Sequence, residues 1–333
     1  MNTNGGIPVT MKAVEISAPG GPEVLKPTER PVPAPAANEV LIQVAAAGVN
    51  GPDLMQRKGL YPAPAGAPDL PGLEVSGTVV AVGANVERWR AGAEVTALTN
   101  GGGYAQYCAA DAQHCLPIPK GVSLRDAAGL PETYFTVWSN VFIGAGLKAG
   151  ETFLVHGGAG GIGTTAIQLG KAVGAKVIAT DSPEERCRIC RELGADRVVD
   201  YKSEDFVDVV RSEGGAQVIL DIVGGANIEK NFKAASHDAR IIQLAFALGS
   251  RVEVNLMPVM LKRLTYTGST LRTRAAAFKA RVARELEAQV WPWIESAKIR
   301  VVTSRTFPLA EAAQAHALMG SSGHTGKILL EVR

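Results

Sequence analysis

The spacing of apolar residues changes along the chain. Before about residue 120, short runs of β-branched and small apolar residues lie between Gly and Pro, which predicts strands at residues 12–16, 40–46, 75–82 and 94–98. Beyond residue 150, strand-like runs at 152–156, 176–181, 197–200, 218–222 and 241–246 alternate with runs at helical spacing. This alternation predicts a parallel, doubly wound α/β sheet, and the first part predicts a small barrel or sandwich.

The C-terminal part returns to the pattern of the first part. Strands are predicted at 301–307 and 327–332, with a helix at 309–319 and a long amphipathic stretch at 275–297 before them. We therefore expect two domains, one made of residues 1–130 and 272–333 and the other of residues 131–271. A strand at 265–270 is expected at the edge of the parallel sheet, where an unprotected edge invites pairing with a second copy.

A glycine-rich turn follows the strand at 152–156 and precedes a helix at 164–173. Gly158, Gly160 and Gly163 match the spacing G-x-G-x-x-G, in which backbone N–H groups and a helix N-terminus face a pyrophosphate. Asp181 ends the next strand about twenty residues later, where such folds place the residue that meets the adenosine ribose. The candidate contacts in this turn are Gly158, Ala159, Gly160, Gly161, Ile162 and Gly163.

Composition and charge exclude several function classes. The 333 residues include 34 basic and 32 acidic side chains, mixed along the chain with no basic block, so nucleic acid is not an expected partner. No run of roughly 18 apolar residues predicts a membrane span. Residues 1–10 lack the charged-then-apolar order of a signal peptide, and we expect them to form a frayed leader. The expected location is the cytoplasm.

A long stretch rich in Pro and Gly, residues 48–73, separates two predicted strands. It carries Asn50, Asp53, Arg57 and Tyr61. Loops of this length are more often functional than not, so these side chains are candidates for a binding site. Asp53 and Arg57 also have a plain alternative, in which they pair with each other or cap a helix.

Several different motifs are spread over nearly the whole chain: Gly48-Val49-Asn50, Gly59-Leu60-Tyr61-Pro62, Pro71-Gly72-Leu73-Glu74, Leu130-Pro131-Glu132-Thr133, the glycine-rich turn, Gly268-Ser269-Thr270-Leu271-Arg272 and His324-Thr325-Gly326-Lys327. In these motifs the chain resembles the zinc-free quinone oxidoreductases of the medium-chain dehydrogenase/reductase superfamily, in the group of the p53-inducible quinone oxidoreductase and zeta-crystallin. The resemblance implies a Rossmann domain and a chaperonin-10-like β-barrel catalytic domain split in sequence. It also implies an active site in the cleft between the domains, and a homodimer.

Zinc alcohol dehydrogenases of the same superfamily differ at the metal positions. This chain has Asn50 where they carry a catalytic cysteine, and Leu73 before Glu74 where they carry histidine. A tetrahedral catalytic zinc needs three N, S or O ligands and an open position. We therefore expect no metal site.

Without a metal, a nicotinamide cofactor must carry the reaction, and a quinone or other planar electrophile is the expected substrate. Tyr61 and Asn50 are the candidate catalytic residues. Tyr61 is chosen because a phenol stacks on a planar ring and donates a hydrogen bond to a carbonyl. Asn50 is expected to face the nicotinamide and to contact the cofactor. The resemblance implies further cofactor contacts near the nicotinamide, the adenine and the phosphates: Thr136, Tyr201, Phe246, Leu248 and Lys327.

The choice between NADH and NADPH stays open at this point. Asp181 can accept both ribose hydroxyls and repel a 2′-phosphate, which favours NADH. Ser182 and Arg186 can hold a phosphate, and the resemblance favours NADPH. Two alternative functions also remain: an NAD(P)H-dependent reductase of activated alkenes such as enones or alkenals, and a non-catalytic dinucleotide-binding sensor.

Overall fold

The computed structural model describes residues 6–333, so the first five residues of the predicted leader lie outside the described part of the chain. Within residues 6–333 there are fifteen strands: β1 (Thr10–Ile16), β2 (Leu25–Pro31), β3 (Glu39–Val49), β4 (Glu74–Val82), β5 (Glu94–Leu98), β6 (Tyr107–Asp111), β7 (Cys115–Pro117), β8 (Thr152–His156), β9 (Lys176–Asp181), β10 (Arg197–Asp200), β11 (Ala216–Asp221), β12 (Ala235–Gln243), β13 (Thr265–Gly268), β14 (Thr303–Pro308) and β15 (Lys327–Glu331).

The same range contains ten α-helices: α1 (Gly51–Arg57), α2 (Pro131–Val137), α3 (Gly161–Ala172), α4 (Glu184–Glu192), α5 (Phe206–Ser212), α6 (Asn227–Ala234), α7 (Met257–Leu261), α8 (Ala276–Glu285), α9 (Trp291–Glu295) and α10 (Ala312–Gly320). In the part of the chain that is described, no helix combines the length and apolar character needed to cross a membrane.

Residues Thr136–Leu271 form one compact unit, here called the parallel-sheet unit. Its six strands lie in the order β10-β9-β8-β11-β12-β13, and all five pairs are parallel. The order runs outward from β8 in both directions, which confirms the predicted doubly wound Rossmann sheet. The apolar run of β8 is fully buried, as expected for a central strand covered by helices on both faces.

The chain up to Phe135 forms the second unit together with Arg272–Arg333, and we call it the split unit. Its main sheet has the order β14-β15-β3-β4-β5-β7, and β6 also pairs with β3. The C-terminal strand β15 pairs antiparallel with β3, so the end of the chain adds a strand to the sheet that the N-terminal part forms. The boundary expected at 130/131 is the start of α2, whereas the compact unit extends to Phe135 inside that helix.

Two predicted segments differ from the observed ones. The stretch expected to be a loop, 48–73, contains the end of β3 and helix α1, which begins after Asn50. The Asp53 carboxylate accepts a hydrogen bond from the Asn50 backbone N–H at 2.9 Å, so Asp53 caps this helix. The long helix expected at 275–297 is divided into α8, a π-helical segment at Leu286–Val290, and α9. Pro292 lies in the first turn of α9, where a missing N–H is tolerated.

The glycine-rich turn lies between β8 and α3 and brings the helix very close to the strand. A Cβ on Gly163 would lie 2.6 Å from the Cα of Gly158 and would also overlap the Gly157 carbonyl oxygen. A Cβ on Gly160 would meet nothing nearer than 3.4 Å, and its φ of −74° suits any residue. Gly163 is therefore required by packing, whereas Gly160 is not.

We expect Gly163→Ala to lower the free energy of unfolding by about 1–3 kcal/mol, because the new methyl group would overlap backbone atoms of Gly157 and Gly158, which cannot move without distorting the turn. Gly160→Ala should leave stability within about 0.5 kcal/mol of the wild type while weakening nucleotide binding, since its methyl group lies where a phosphate would approach. Denaturant unfolding and a nucleotide titration of both variants measure this. Equal stability loss in the two variants would contradict the assignment.

Candidate functional site

A buried cluster of polar side chains lies in the split unit around Lys327. The Lys327 ammonium is 2.6 Å from Glu74 Oε1 and 2.5 Å from Asn50 Oδ1. The Asn50 amide nitrogen donates to the same Glu74 oxygen at 2.8 Å. All three residues are at most 4% exposed. A buried charge is tolerated when it is paired and hydrogen-bonded, and this triad meets both conditions.

Three elements bring the triad together. Asn50 precedes α1, Glu74 is the first residue of β4, and Lys327 is the first residue of β15. A Cβ on Gly48, in β3, would overlap the Glu74 carboxylate, so a residue without a side chain is needed where Glu74 crosses β3. In the Gly48-Val49-Asn50 motif, Gly48 thus leaves space for the Glu74 carboxylate, and the Asn50 amide donates a hydrogen bond to it.

Asp53 forms a second buried carboxylate beside this triad. Its Oδ2 accepts from the Asn50 backbone N–H and its Oδ1 accepts from the Gly72 backbone N–H at 3.0 Å. Burial raises the pKa of Asp53 to about 6, although these two N–H groups and the Lys327 charge oppose the rise. The two backbone bonds join α1 to the segment that leads into β4.

The residues of the triad do not fit a catalytic zinc. Asn50 Oδ1 and Glu74 Oε1 both accept from the Lys327 ammonium, which carries protons and has no lone pair to give a metal. Among residues 6–333 there is no group of three or more His, Cys, Asp or Glu side chains able to hold a metal ion. Lys327 therefore supplies the positive charge that Glu74 requires.

Tyr61 lies beside a second set of positive groups in the same unit. The Arg272 guanidinium carbon is 5.6 Å from the centre of the Tyr61 ring, within cation–π range. Arg272 is only 6% exposed and is held in place by the Gln56 side chain at 2.8 Å and by the Asn100 carbonyl oxygen. The Lys279 ammonium donates to Asn100 Oδ1 and to the Arg272 carbonyl oxygen, both at 2.8 Å. One buried cation, Arg272, thus lies over a partly exposed phenol, and a second, Lys279, binds the backbone of Arg272.

The electrostatic surroundings keep the Tyr61 hydroxyl protonated. Burial raises its pKa, the charge of Glu132 raises it further, and Arg272 opposes both effects. A phenol whose pKa is raised above the ordinary value remains a hydrogen-bond donor throughout the physiological range. Tyr61 therefore has the protonation state that its predicted role needs.

Glu132 also acts electrostatically on Tyr61 and Arg272, although the sequence motifs did not predict a functional role for it. It lies in the first turn of α2, and its backbone N–H donates to Glu74 Oε2 at 2.8 Å. The residue as a whole is partly exposed. Burial and the neighbouring Glu74 charge raise the pKa of Glu132 to about 8, against the opposing charges of Lys327 and Lys279. The motif Leu130-Pro131-Glu132-Thr133 contained the only sequence signal for it.

In the parallel-sheet unit, Asp181 ties the glycine-rich turn to the end of β9. Its Oδ2 accepts from the Ala159 backbone N–H at 2.7 Å, and its Oδ1 accepts from the Ser182 backbone N–H at 2.8 Å. Arg186 completes the set, with Nε at 2.6 Å from Oδ1 and Nη2 at 3.2 Å from Oδ2. Asp181 is 3% exposed, so its charge is compensated within the fold.

The surroundings of Asp181 fit a dinucleotide. At Gly160, which precedes α3, a Cβ would meet nothing nearer than 3.4 Å, so a phosphate has room at the start of this helix. The Ser182 hydroxyl is buried and has no hydrogen-bond partner among the described residues. Tyr201 is 55% exposed and lies near the Asp181–Arg186 pair, whose charges act on its phenol. An unpaired buried hydroxyl beside an arginine matches the polar edge of an adenosine ribose.

The remaining predicted cofactor contacts are distributed over both units. Thr136 lies in α2, where its carbonyl oxygen accepts from the Asn140 amide at 2.8 Å. Phe246 and Leu248 follow β12 and are 45% and 71% exposed, next to Gly224 and Gly225 respectively. Lys327, expected near the phosphates, has its ammonium committed to Glu74 and Asn50. Its contact with a cofactor remains a prediction.

Two family models match the chain. A model of the alcohol dehydrogenase GroES-like domain matches residues 36–120, and a model of zinc-binding dehydrogenases matches residues 161–288. The first match confirms the predicted chaperonin-10-like domain in the split unit. The second falls mostly on the parallel-sheet unit, and its name describes the wider group of proteins rather than the donor set of this chain.

Known proteins resemble the chain over nearly its full length. Human quinone oxidoreductase is 33% identical over 328 residues, which cover 96% of this chain and 97% of that protein. The solved Escherichia coli quinone oxidoreductase complexed with NADPH is 28% identical with a TM-score of 0.86, over 96% of this chain and 100% of that one. A solved NAD-dependent alcohol dehydrogenase is 31% identical with a TM-score of 0.86, over 97% and 100%. The chain belongs to the quinone oxidoreductases of the medium-chain dehydrogenase/reductase superfamily.

Proposed function

We propose that the protein is an NAD(P)H-dependent quinone oxidoreductase that works without a metal ion. The observation that carries this proposal is the pairing of a protonated, partly exposed Tyr61 with the buried guanidinium of Arg272, 5.6 Å from its ring. A planar ring and a hydrogen-bond donor suit a planar acceptor, and a fixed positive charge suits the negative charge that develops on its oxygen. Bound NAD(P)H supplies the hydride.

The residues of the split unit then have separate tasks. Tyr61 donates a hydrogen bond to an acceptor carbonyl and stacks on its ring. Arg272, held by Gln56 and Asn100, stabilises charge on the reduced oxygen without having to reorganise. In the Lys327 triad the ammonium has no lone pair for a metal and engages the Asn50 and Glu74 oxygens, so the contribution of the triad is to fix the start of α1 and the start of α2.

A comparison of acceptors tests this function. With NADPH or NADH in excess, we expect turnover with benzoquinones and naphthoquinones and much lower kcat/KM with enones and alkenals. We expect Tyr61→Phe to lower kcat/KM for quinones by roughly 10–100-fold, because a preorganised donor to a developing oxyanion is lost. Tyr107→Phe, on β6, is the matched control and should keep wild-type activity.

Two other outcomes would replace the proposal. Turnover of enones without quinones assigns the protein to the reductases of activated alkenes. Tight nucleotide binding without turnover of either class assigns it a sensing role. Unchanged quinone kinetics in Tyr61→Phe would remove the phenol from the mechanism.

We also propose that NADPH is the preferred cofactor. A free Asp181 carboxylate would favour NADH. In the structure Arg186 neutralises this carboxylate, and a backbone N–H group donates to each of its two oxygens. The negative charge that was expected to repel a 2′-phosphate is therefore compensated. The Ser182 hydroxyl, buried without a partner, supplies a donor at the same place.

We expect Arg186→Ala to lower kcat/KM for NADPH by about tenfold or more, corresponding to about 1.4 kcal/mol, and to change the value for NADH much less. The variant removes a phosphate partner and uncovers the charge of Asp181, and both effects act against the 2′-phosphate. Arg188→Ala is the control, because Arg188 lies on the same helix and pairs only loosely with Glu192, at 3.7 Å. Equal losses with both cofactors would show that Arg186 acts only on stability.

We further propose that the protein is a homodimer formed through the edge of the parallel sheet. All four residues of edge strand β13 are exposed, and the adjacent helix α7 exposes Met257, Met260 and Leu261 by 53%, 66% and 62%. An exposed edge strand beside an apolar surface suits a symmetric contact with the same strand of a second copy.

Light scattering after size-exclusion chromatography tests the dimer. We expect twice the chain mass for the wild type and the mass of a single chain for Met260→Lys, because a buried ammonium at the contact has no partner. Val9→Lys, a change at a residue that is 63% exposed in the split unit, should remain dimeric. A wild type with the mass of one chain at micromolar concentration would refute the proposal.

A further inference from the structure

We propose that His316 is a positioning residue for Tyr61, because its buried imidazole ring connects the two ends of the loop that carries the phenol. The inference deepens the proposed quinone oxidoreductase function and rests on it. Residues 58–73 join α1 to β4 without a helix or strand, and Tyr61 lies near the start of this loop. A side chain on a loop of this length keeps one position against a substrate only if the ends of the loop are held.

Both ring nitrogens of His316 have a side-chain partner. His316 lies in α10 and is fully buried. Its Nδ1 is 3.4 Å from Arg57 Nη1, and its Nε2 is 2.9 Å from the Tyr104 hydroxyl oxygen. Because a guanidinium only donates, Nδ1 is the acceptor, and the neutral ring carries its proton on Nε2, which donates to Tyr104. Burial and the Arg57 charge lower the pKa of His316 to about 3, in agreement with a neutral ring.

Arg57 holds the start of the loop. It is the last residue of α1 and is 4% exposed. Its Nε donates to the Gly20 carbonyl oxygen at 3.1 Å, and its own carbonyl oxygen accepts from the Gly20 N–H at 3.0 Å. The Leu60 N–H donates to the Met55 carbonyl oxygen at 2.9 Å, so the chain folds back on α1 immediately before Tyr61. Tyr61 therefore follows a segment that is fixed through both the backbone and the side chain of Arg57.

Tyr104 holds the other end of the loop. Its backbone N–H donates to the Pro71 carbonyl oxygen at 3.0 Å. A Cβ on Gly72 would lie 2.7 Å from the Tyr104 ring, so this ring packs directly on the Gly72 backbone. Tyr104 is fully buried, and the His316 ring is a partner of its hydroxyl group. Loss of the imidazole would remove one hydrogen-bond partner from this hydroxyl and one from the Arg57 guanidinium, both in a buried site.

The imidazole provides a second connection between the two ends of the loop. The first is made by Asp53, in the first turn of α1, whose carboxylate accepts an N–H from the far end of the loop at 3.0 Å. The connection through His316 includes Arg57, at the last turn of the helix and four residues before Tyr61. A shift of Arg57 would move the phenol relative to the Arg272 guanidinium, which lies 5.6 Å from the centre of its ring.

His316→Leu tests the role of the ring, since leucine has a similar volume but neither donates nor accepts a hydrogen bond. We expect kcat/KM for benzoquinones to fall by about 10–100-fold, because a small displacement of Tyr61 costs alignment with the acceptor. The dissociation constant for NADPH should stay within about twofold of the wild-type value, because the glycine-rich turn and Asp181 belong to the parallel-sheet unit. Steady-state kinetics and a fluorescence titration measure the two quantities.

Three further variants complete the kinetic design. His316→Gln keeps an acceptor for the guanidinium and a donor for the phenol, and should restore part of the lost activity. Tyr104→Phe removes one hydroxyl group and keeps the ring; it should lower kcat/KM by about 3–10-fold and serves if His316→Leu does not fold. Gln314 is exposed on the same helix, so Gln314→Leu is the control and should keep wild-type kinetics.

A double-mutant cycle separates the positioning of Tyr61 from a general loss of stability. In the Tyr61→Phe background, His316→Leu should lower kcat/KM for quinones by less than about threefold, because the donor that the ring positions is already absent. Losses that multiply in the double variant would overturn the inference, since a residue that affects only stability acts independently of the phenol. Tyr104→Phe can take the place of His316→Leu in this cycle, with the same expectation.

Amide hydrogen exchange without cofactor or acceptor separates this inference from the proposed function. Exchange in residues 58–72 should be at least about tenfold faster in His316→Leu than in the wild type, and exchange in residues 152–163 should be unchanged. If the wild type reduces no quinone with either cofactor, the proposed function fails, and the exchange rates still decide whether the imidazole holds the loop. If quinones are reduced and His316→Leu matches the wild type in exchange and kinetics, only the role of His316 fails.

Discussion

The ion pair between Lys327 and Glu74 is the interaction on which the polar part of the split unit depends. It joins the last strand of the chain to a strand formed about 250 residues earlier, and it holds Asn50 and the backbone of Glu132 through the two Glu74 oxygens. Removing one partner of such a pair leaves a buried charge and costs about 3–5 kcal/mol. The pair therefore couples the completion of the fold by the C-terminus to the placement of α1 and α2.

Local patterns predict the elements of the parallel sheet well and the short elements of the split unit poorly. Strands β8 and β9 are bounded by Gly residues and a charged end, so the sequence marks both limits at 152–156 and 176–181. Helix α1 has only seven residues and opens with Gly51 and Pro52, which resemble a loop. The decisive signal there was the pairing of Asn50 and Asp53, which caps a helix but gives no periodicity. In the 275–297 stretch, apolar spacing continues through Pro292 although the hydrogen bonding changes.

Side-chain partners in the candidate sites depend on contacts that the linear sequence does not contain. Asp181 was predicted at the end of a strand, and it lies there, but a sequence pattern cannot show that Arg186 turns back from the first turn of α4 to pair with it. This ion pair compensates the charge of Asp181, which the linear sequence alone leaves free to repel a 2′-phosphate. Likewise, Lys327 could be placed near a ligand by motif, whereas its burial against Glu74 follows only from the pairing of β15 with β3.

The distribution of charge explains why one carboxyl group of the cluster differs from the others. Glu74 receives an ammonium and an amide, and Asp53 receives two backbone N–H groups, so both have partners that stabilise the ionised form. Glu132 has no such partner, and it faces the field of both carboxylates. In a setting that limits hydration, the least costly state of such a group is the protonated one.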